Sequence, residues 1–516
     1  MRRIVRLPTA LCLLALVGCK VTPENIDYWT GTVKGPGKIV AVLTHDKYED
    51  ELRVHAGLAL VRMDPRQEIN GVTELEEALN RLDEGTQARI VDGMAPELIR
   101  MMSGADVPQG EDERRVSPLQ ERAKDAAFLV IDSASEGEVQ RELLEAIINW
   151  YAQDFDARNL EGMFSAEVVV RQFGAPAAGQ LVNALNAHLN QLSLVKIAEL
   201  VADLGTAEAK AEAARRLVEI EREMEGAAFA QWLRGRLEAQ YPDAEPERVN
   251  RGVEINRESH LTDGLLPAMK SLNDQRLVQD RLLELARRPE TEEPILSRRV
   301  AALQAMEGSV RPEQVDALLT LALDDDTPPR VSDYAFDRVA DSRDARIVTR
   351  LWPTFGDTDD WRMRWRVGSL ILTLGGSDVV QPFFERMDDE TYAHEELYGY
   401  AERLAQMRPP PTALMNARLG SDKWHDRVVA LYFWSRQAER ADIPRLEALT
   451  GDDARTAGPE GPNGSWAAQE LPSVGKVAEQ VVAQVRQRLE REAAEASEGG
   501  AADAGGDGES SEAASG

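Results

Sequence analysis

Residues 312–341 read PEQVDALLTLALDDDTPPRVSDYAFDRVAD, and this stretch decides the fold. Val315, Leu318, Leu319, Ala322 and Leu323 recur at i, i+3, i+4, i+7 and i+8, one apolar stripe on a helix. An acidic turn follows at Asp324, Asp325 and Asp326, and then Pro328 and Pro329. Proline suits the first turn of a helix, where its missing N–H would be unpaired in any case. The next helix carries Val331, Tyr334, Ala335 and Val339. The pattern restarts at Ile347, Val348 and Leu351, breaks at Pro353 and Gly356, and resumes with Met363, Val367, Leu370, Ile371 and Leu374. The unit is helix, short turn, helix, over roughly 30–40 residues, the period of a stacked helical repeat.

An Arg-Val pair near the start of the second helix marks several copies. It occurs at Arg53-Val54, Arg299-Val300, Arg330-Val331, Arg366-Val367 and Arg427-Val428, the last four in steps of 31, 36 and 61 residues. Ala56, Ala59 and Leu60 follow Arg53, and Ala302, Ala305 and Met306 follow Arg299. Small residues at those offsets let the second helix approach its neighbours closely.

The run Leu52-Arg53-Val54-His55-Ala56-Gly57-Leu58-Ala59-Leu60 resembles helix B of the HEAT-repeat family: an Asp in the turn, then apolar-Arg-x-x-Ala-x-x-Ala-Leu. The copies at Arg330 and Arg366 depart from it, with Asp333 and Ser369 where Ala is expected. The resemblance implies an all-α fold, a right-handed, armadillo-like α-solenoid of HEAT-like hairpins, and the composition of the last residues adds a disordered acidic tail. It also implies that Arg366 bonds the turn acids of a neighbouring repeat.

The amino terminus reads as a targeting segment. Arg2, Arg3 and Arg6 make a basic start, and Leu11 to Val17 form an apolar run too short to span a bilayer. It ends in Leu16-Val17-Gly18-Cys19, which resembles the lipobox of a bacterial lipoprotein signal. By that resemblance Cys19 becomes the first residue of the mature chain and carries the lipid. Cys12 would leave with the signal, so no disulfide or Cys-metal site would remain. Lys20 stands where such lipoproteins carry the Asp that favours retention at the inner membrane, so the outer membrane is the expected location.

The formal net charge of −30 repels nucleic-acid phosphates and anionic lipid, so DNA and RNA are not expected as partners. The expected organisation is a signal at 1–19, a tether at 20–35 and helical repeats at 36–240. A polar seam follows at 241–258, then better-formed repeats at 259–450. Residues 451–475 read as a Pro/Gly linker, 476–493 as a terminal helix and 494–516 as a tail unable to bury a core. Val168, Val169 and Val170 are the nearest thing to a strand.

Signatures of chemistry are missing from the sequence. The six histidines form no His-Glu-x-x-His motif, and there is no Gly-x-Ser-x-Gly elbow. His394-Glu395-Glu396 is the one His beside paired acids, and it reads as a solvated helix start. Asp324–Asp326 lacks the spaced oxygens and central Gly of a calcium loop. No catalytic, cofactor-binding or metal residue is assigned, and neither a cofactor nor a small-molecule substrate is expected.

Aromatics concentrate between Trp352 and Trp434, with Arg362, Arg364 and Arg366 among them. Most are expected to pack between repeats. Trp361, Arg362 and Trp365 are the candidates for a partner surface, because Trp and Arg dominate binding hot spots.

The function these features favour is a non-enzymatic scaffold of the cell envelope, anchored through Cys19, that presents a surface to another envelope protein. The alternatives are an accessory or lyase-like HEAT-repeat enzyme and a structural spacer between membrane and cell wall. Replacing Cys19 with Ala is expected to release the protein from membranes or leave the signal uncleaved. A processed Cys19→Ala protein that fractionates with membranes like the parent would refute the anchor.

Overall fold

The computed structural model describes residues 20–66, 69–104, 116–387, 392–456 and 471–503, with side chains to 495 in the last stretch. Cys19 and the rest of the expected signal lie outside the described residues. Among the described residues the named elements are all helices, and β-pairing is limited to the isolated bridges Arg66–Ile69 and Arg455–Ser473. The chain forms two compact units that meet in sequence at Leu285 and Ala286.

Unit 1 opens with α1 (Pro23–Thr30), α2 (Gly35–Thr44), α3 (Asp50–Arg62), α4 (Gly71–Leu79), α5 (Glu84–Ser103), α6 (Pro118–Val130) and α7 (Glu138–Gln153). It continues through α8 (Phe155–Arg158), α9 (Ala166–Phe173), α10 (Ala175–Leu181), α11 (Gln191–Leu204), α12 (Ala207–Glu225), α13 (Ala227–Gln240) and α14 (Pro246–Ser259). A single π-helical turn, His260–Leu265, leads into α15 (Leu266–Ser271), and α16 (Arg276–Ala286) ends the unit. First and second helices pack on each other in the hairpins α2–α3 and α6–α7, and like helices stack: α2 on α4, α4 on α6, α3 on α5, α5 on α7. That two-layer stacking is the α-solenoid arrangement.

Unit 2 repeats it with α17 (Ile295–Ala305), α18 (Val315–Leu323), α19 (Pro329–Asp341), α20 (Val348–Asp357), α21 (Trp361–Gly375), α22 (Ser377–Arg386), α23 (His394–Gln406), α24 (Thr412–Arg418), α25 (Trp424–Gln437), α26 (Ile443–Glu447) and α27 (Val474–Asp503). The second helices α17, α19, α21, α23 and α25 lie side by side, and α27 packs on α25 and α26. Val474, Val477, Ala478, Val481, Val482 and Val485 form the buried stripe of α27. The helix passes Ala493, where the tail was expected to begin, and continues to Asp503; residues 504–516 lie outside the described residues.

The hairpin reading holds at the quoted stretch. α19 begins at Pro329, and the Asp324 carboxylate caps the turn by accepting from the Asp326 N–H at 3.3 Å and the Thr327 hydroxyl at 2.9 Å. The small residues Ala56, Ala59, Ala302 and Ala305 are buried, as close helix approach requires. The Arg of the marker pair has a specific job in two copies. Arg53 donates through Nε to the Leu43 carbonyl at 2.8 Å, at the end of α2. Arg299 donates to the carbonyls of Ala286 at 3.0 Å and Glu290 at 2.9 Å. Helix ends leave four carbonyls without intrahelical partners, and a cation there also meets the negative end of the dipole. In the copy at Arg330 the register shifts: Arg330 faces solvent, and Ser332 donates to the Ala322 carbonyl at 2.8 Å in its place.

Several expectations fail. Residues 20–35 are not a tether: Thr22 and Pro23 open α1, whose Ile26 is wholly buried against α2 and α3. One buried side chain in eight residues leaves no periodicity to see. The polar seam at 241–258 is mostly α14, with only Val249 and Val253 buried. The boundary between units comes later, at the end of α16. The valine run is helix α9, with Val169 and Val170 inside and Val168 outside. Of the 451–475 linker, 457–470 lie outside the described residues.

Replacing Arg299 with Met is expected to remove two hydrogen bonds made by a buried charge and to destabilise the fold by about 1.5–3 kcal/mol. Arg330→Met, at a side chain 63% exposed, is expected to stay within ~0.5 kcal/mol of the parent. Urea-unfolding midpoints of the two variants check the pair.

Candidate protein-docking face

The second helices of unit 2 are held in register by buried polar contacts. Arg364 on α21 pairs with Glu396 on α23 through two hydrogen bonds, of 2.8 and 3.0 Å, with the carboxylate fully buried. The Tyr400 hydroxyl donates to Glu396 at 2.8 Å and lies 2.9 Å from the Arg364 carbonyl, and the guanidinium stands 4.4 Å from the Tyr392 ring centre. Burial lifts the Glu396 carboxyl above its ordinary value against the pull of Arg364. The same burial acts to lower the Arg364 pKa, but the Glu396 carboxylate holds it above the usual range. At Gly368 a Cβ would stand 2.6 Å from the Tyr400 ring, so α21 and α23 meet closely there.

His394 is therefore no solvated helix start. It is 1% exposed, and its Nδ1 lies 2.9 Å from the Tyr432 hydroxyl. The His394-Glu395-Glu396 run hides this because its partners, Arg364 and Tyr432, are 32 and 36–38 residues away in sequence.

Above this buried layer runs a row of aromatics. Tyr334, Trp365, Tyr398 and Tyr432 follow one another at steps of 31, 33 and 34 residues, one on each of α19, α21, α23 and α25. Trp365 is 37% exposed and Tyr398 41%, whereas Tyr432 is 7%. The row is tied across helices. Gln304 donates to the Tyr334 hydroxyl at 2.8 Å, and Trp365 lies against Gly399, where a Cβ would stand 2.1 Å from the indole nitrogen. Arg436 donates to the Tyr398 hydroxyl at 2.7 Å and pairs with Glu402 at 3.0 Å. Tyr398 meets Tyr432 edge-on at 5.4 Å.

Between α19, α21 and α23 lies a cleft of ≈ 260 Å³, lined by Asp333, Asp337, Trp365, Arg366, Ser369 and Arg403, among others. Arg366 pairs with Asp333, on the preceding second helix itself rather than with acids in a turn. The Asp337 carboxyl is raised by desolvation in the cleft and by Asp341 and Asp333.

Of the three residues singled out from the sequence, Trp365 lines this cleft. Trp361 is half-buried one turn earlier, and the exposed Arg362 holds its guanidinium 4.8 Å from the Trp361 ring centre. Neither is among the cleft's lining residues. Sequence reasoning missed Tyr334, Tyr398 and Arg403. The available signal was an aromatic at the fifth or sixth residue of each of α19, α21 and α23, whereas Tyr432 is the ninth residue of α25.

No family model matches the chain, and no curated protein does. Solved structures with which it can be superposed include two complexes of Kap121p and one of importin beta. The karyopherin Kap121p bound to the extreme C-terminus of the protein phosphatase Cdc14p is 12% identical, with a TM-score of 0.27 over 83% of this chain and 48% of that one. Kap121p bound to Ste12p is 11% identical, with a TM-score of 0.27 over 90% and 49%. Importin beta in an ammonium sulfate condition is 10% identical, with a TM-score of 0.24 over 90% and 68%. The chain thus spans about half the length of the Kap121p chains it matches. At TM-scores this low, the likenesses carry nothing about function.

Trp361→Ala and Trp365→Ala are each expected to destabilise the protein by less than the roughly 3–5 kcal/mol lost on truncating a core aromatic. Phe383→Ala, at a fully buried position, serves as the core reference. Thermal unfolding of the three variants decides between surface and packing roles. If both tryptophan variants melt as low as Phe383→Ala, these residues are inter-repeat packing.

Proposed function

We propose that the protein is a non-enzymatic interaction scaffold of the bacterial cell envelope. It is anchored by lipid on Cys19, with the outer membrane as its location, and docks another envelope protein on the α19–α21–α23–α25 face. The observation that carries this reading is the aromatic row, in which successive second helices place Tyr334, Trp365 and Tyr398 at equivalent positions and leave the last two more than a third exposed. Tyr and Trp bring large contact area at low entropic cost, and Arg beside them brings directional hydrogen bonds. Arg362 and Arg403 supply positive charge on an otherwise acidic chain, which suits a partner that presents acids or an aromatic groove. Trp361 and Arg362 extend the same helix toward its N-terminus and remain candidates for the rim.

The test is affinity capture from envelope extracts with the lipidated protein, read by mass spectrometry, and repeated with a Trp365→Ala/Tyr398→Ala double variant. Losing an exposed hot-spot aromatic weakens binding by ~2 kcal/mol or more. A protein enriched by the parent is therefore expected to be lost from the variant, with the melting temperature little changed. Equal capture of the same protein by both forms would move the docking face elsewhere.

A further inference from the structure

The folded body begins almost at the residue expected to carry the lipid. Between Cys19 and Thr22, the cap of α1, stand only Lys20 and Val21. α1 is itself fastened to its neighbours. Ile26 is wholly buried, the His55 ring on α3 lies 2.8 Å from the Asp27 carboxylate, and the Lys38 ammonium on α2 stands 5.2 Å from the centre of the Trp29 ring. Asn25 Oδ1 accepts from the Thr22 N–H at 3.2 Å. A fully extended chain covers at most about 3.3–3.6 Å per residue, so the three steps from Cys19 to Thr22 reach at most about 11 Å. The polar layer on each side of a bilayer is roughly 5–8 Å thick. A lipid on Cys19 therefore brings the start of α1 to the headgroups.

That end of the hairpin holds a cleft of ≈ 690 Å³, lined by residues 20–23 and, across from them in sequence, by the α2–α3 turn and the first turn of α3. Its apolar side chains Val21, Tyr48 and Leu52 are half-buried, and its charged ones, Lys20, Lys47, Glu49 and Glu51, are exposed. Among the described residues none of these four charges is in an ion pair. The Lys47 ammonium lies 4.8 Å from the centre of the Tyr48 ring. Two cations and two anions beside apolar side chains match a headgroup that carries a phosphate and an ammonium, the lysines taking the first and the glutamates the second. Tyrosine suits this level, with its ring toward hydrocarbon and its hydroxyl in the polar layer. Glu24 and Asp46, next in sequence to Pro23 and Lys47, add negative charge at this end, which opposes an anionic lipid.

We propose that this end of unit 1 is a membrane-contact face whose cleft seats the headgroup of a zwitterionic phospholipid. The inference rests on the reading that Cys19 carries a lipid, and it adds to that covalent anchor a second, non-covalent grip on the bilayer. It is independent of the aromatic row in unit 2.

The test uses the purified lipidated protein with one fluorophore, carried by Asp46→Cys beside the cleft or by Val33→Cys. Val33 is 91% exposed in the turn at the opposite end of α1, roughly 12 Å away along the helix. Each form is reconstituted into phosphatidylethanolamine/phosphatidylcholine vesicles with a spin label on the headgroup. Quenching at Asp46→Cys is expected to exceed that at Val33→Cys at least threefold. Mass spectrometry of the mature amino terminus reads the anchor separately. An unacylated Cys19 overturns the anchor and this contact together, whereas an acylated Cys19 with equal quenching at the two positions overturns the contact alone. A Gly/Ser insertion of about ten residues after Cys19 then relaxes the short link. In the inserted chain, quenching at Asp46→Cys is expected to stay within twofold, and to fall at least threefold when Lys47→Gln/Glu51→Gln is added, with melting like the parent. Loss of quenching on insertion alone would show a contact imposed by the link, and overturn the headgroup seat. So would an unchanged signal in the double variant, or equal quenching of the inserted chain on phosphatidylglycerol vesicles.

Discussion

The hairpin stack depends on how the end of each first helix is satisfied. Its last carbonyls have no partner within the helix, and Leu43, Ala286 and Ala322, which carry three of them, are buried. Where the marker arginine is buried, it reaches back from the second helix to those carbonyls, as Arg53 does to Leu43 and Arg299 to Ala286. Ser332 does the same for Ala322 with a shorter arm. One side chain thus closes the hairpin, fixes the angle between its helices and sets which residues of the second helix face its neighbours. Removing the group would strand a buried carbonyl, at about 1–3 kcal/mol.

Legibility in the sequence followed the number of buried side chains per helix. α18 and α19, with five or six buried positions each, showed their periodicity plainly. α1, which buries only Ile26, and α14, which buries only Val249 and Val253, looked like linkers because charged and polar residues outnumber the apolar ones. Val168–Val170 invited a strand reading through β-branched propensity, which tertiary packing overrode at Val169 and Val170. Position in the fold was harder still. His394 and Glu396 looked exposed because the partners that make burial tolerable, Tyr432 and Arg364, come from the adjacent repeats. The Trp365 of the candidate face was visible as an aromatic beside arginines. Its companions Tyr334 and Tyr398 were not, because unequal steps of 31 and 33 residues hide an alignment that the helices make obvious.

Buried charge defines local geometry in both units. In unit 2 the aromatic row stands on a layer already locked by the Arg364–Glu396 pair and by the glycines that let indole and phenol pack against a neighbouring helix, Gly399 under Trp365 and Gly368 under Tyr400. In unit 1 the fully buried Lys124 ammonium does the equivalent work for the loop between α8 and α9, donating to Asp125 and to the Glu161 and Phe164 carbonyls. Buried ion pairs of this kind contribute little net stability, since desolvation offsets most of the Coulomb gain. Their effect is on definition: one arrangement satisfies every charge, and alternatives leave one stranded.

The valine stripe of α27 has a further consequence. A stack of hairpins is a structure that templates its own continuation, because each second helix offers the next a groove of the right width. An uncovered terminal groove on α25 would invite another chain to add in series, and from there growth into filaments. α27 lays Val477, Val481 and Val485 into that position. Beyond Leu489 it turns outward residues such as Glu492 and Glu495, which offer no further groove. Over the span that covers α25, α27 acts as a chain terminator in the polymer sense: it turns Lys476, Glu479, Gln480 and Gln484 outward, a polar face in place of a further apolar groove.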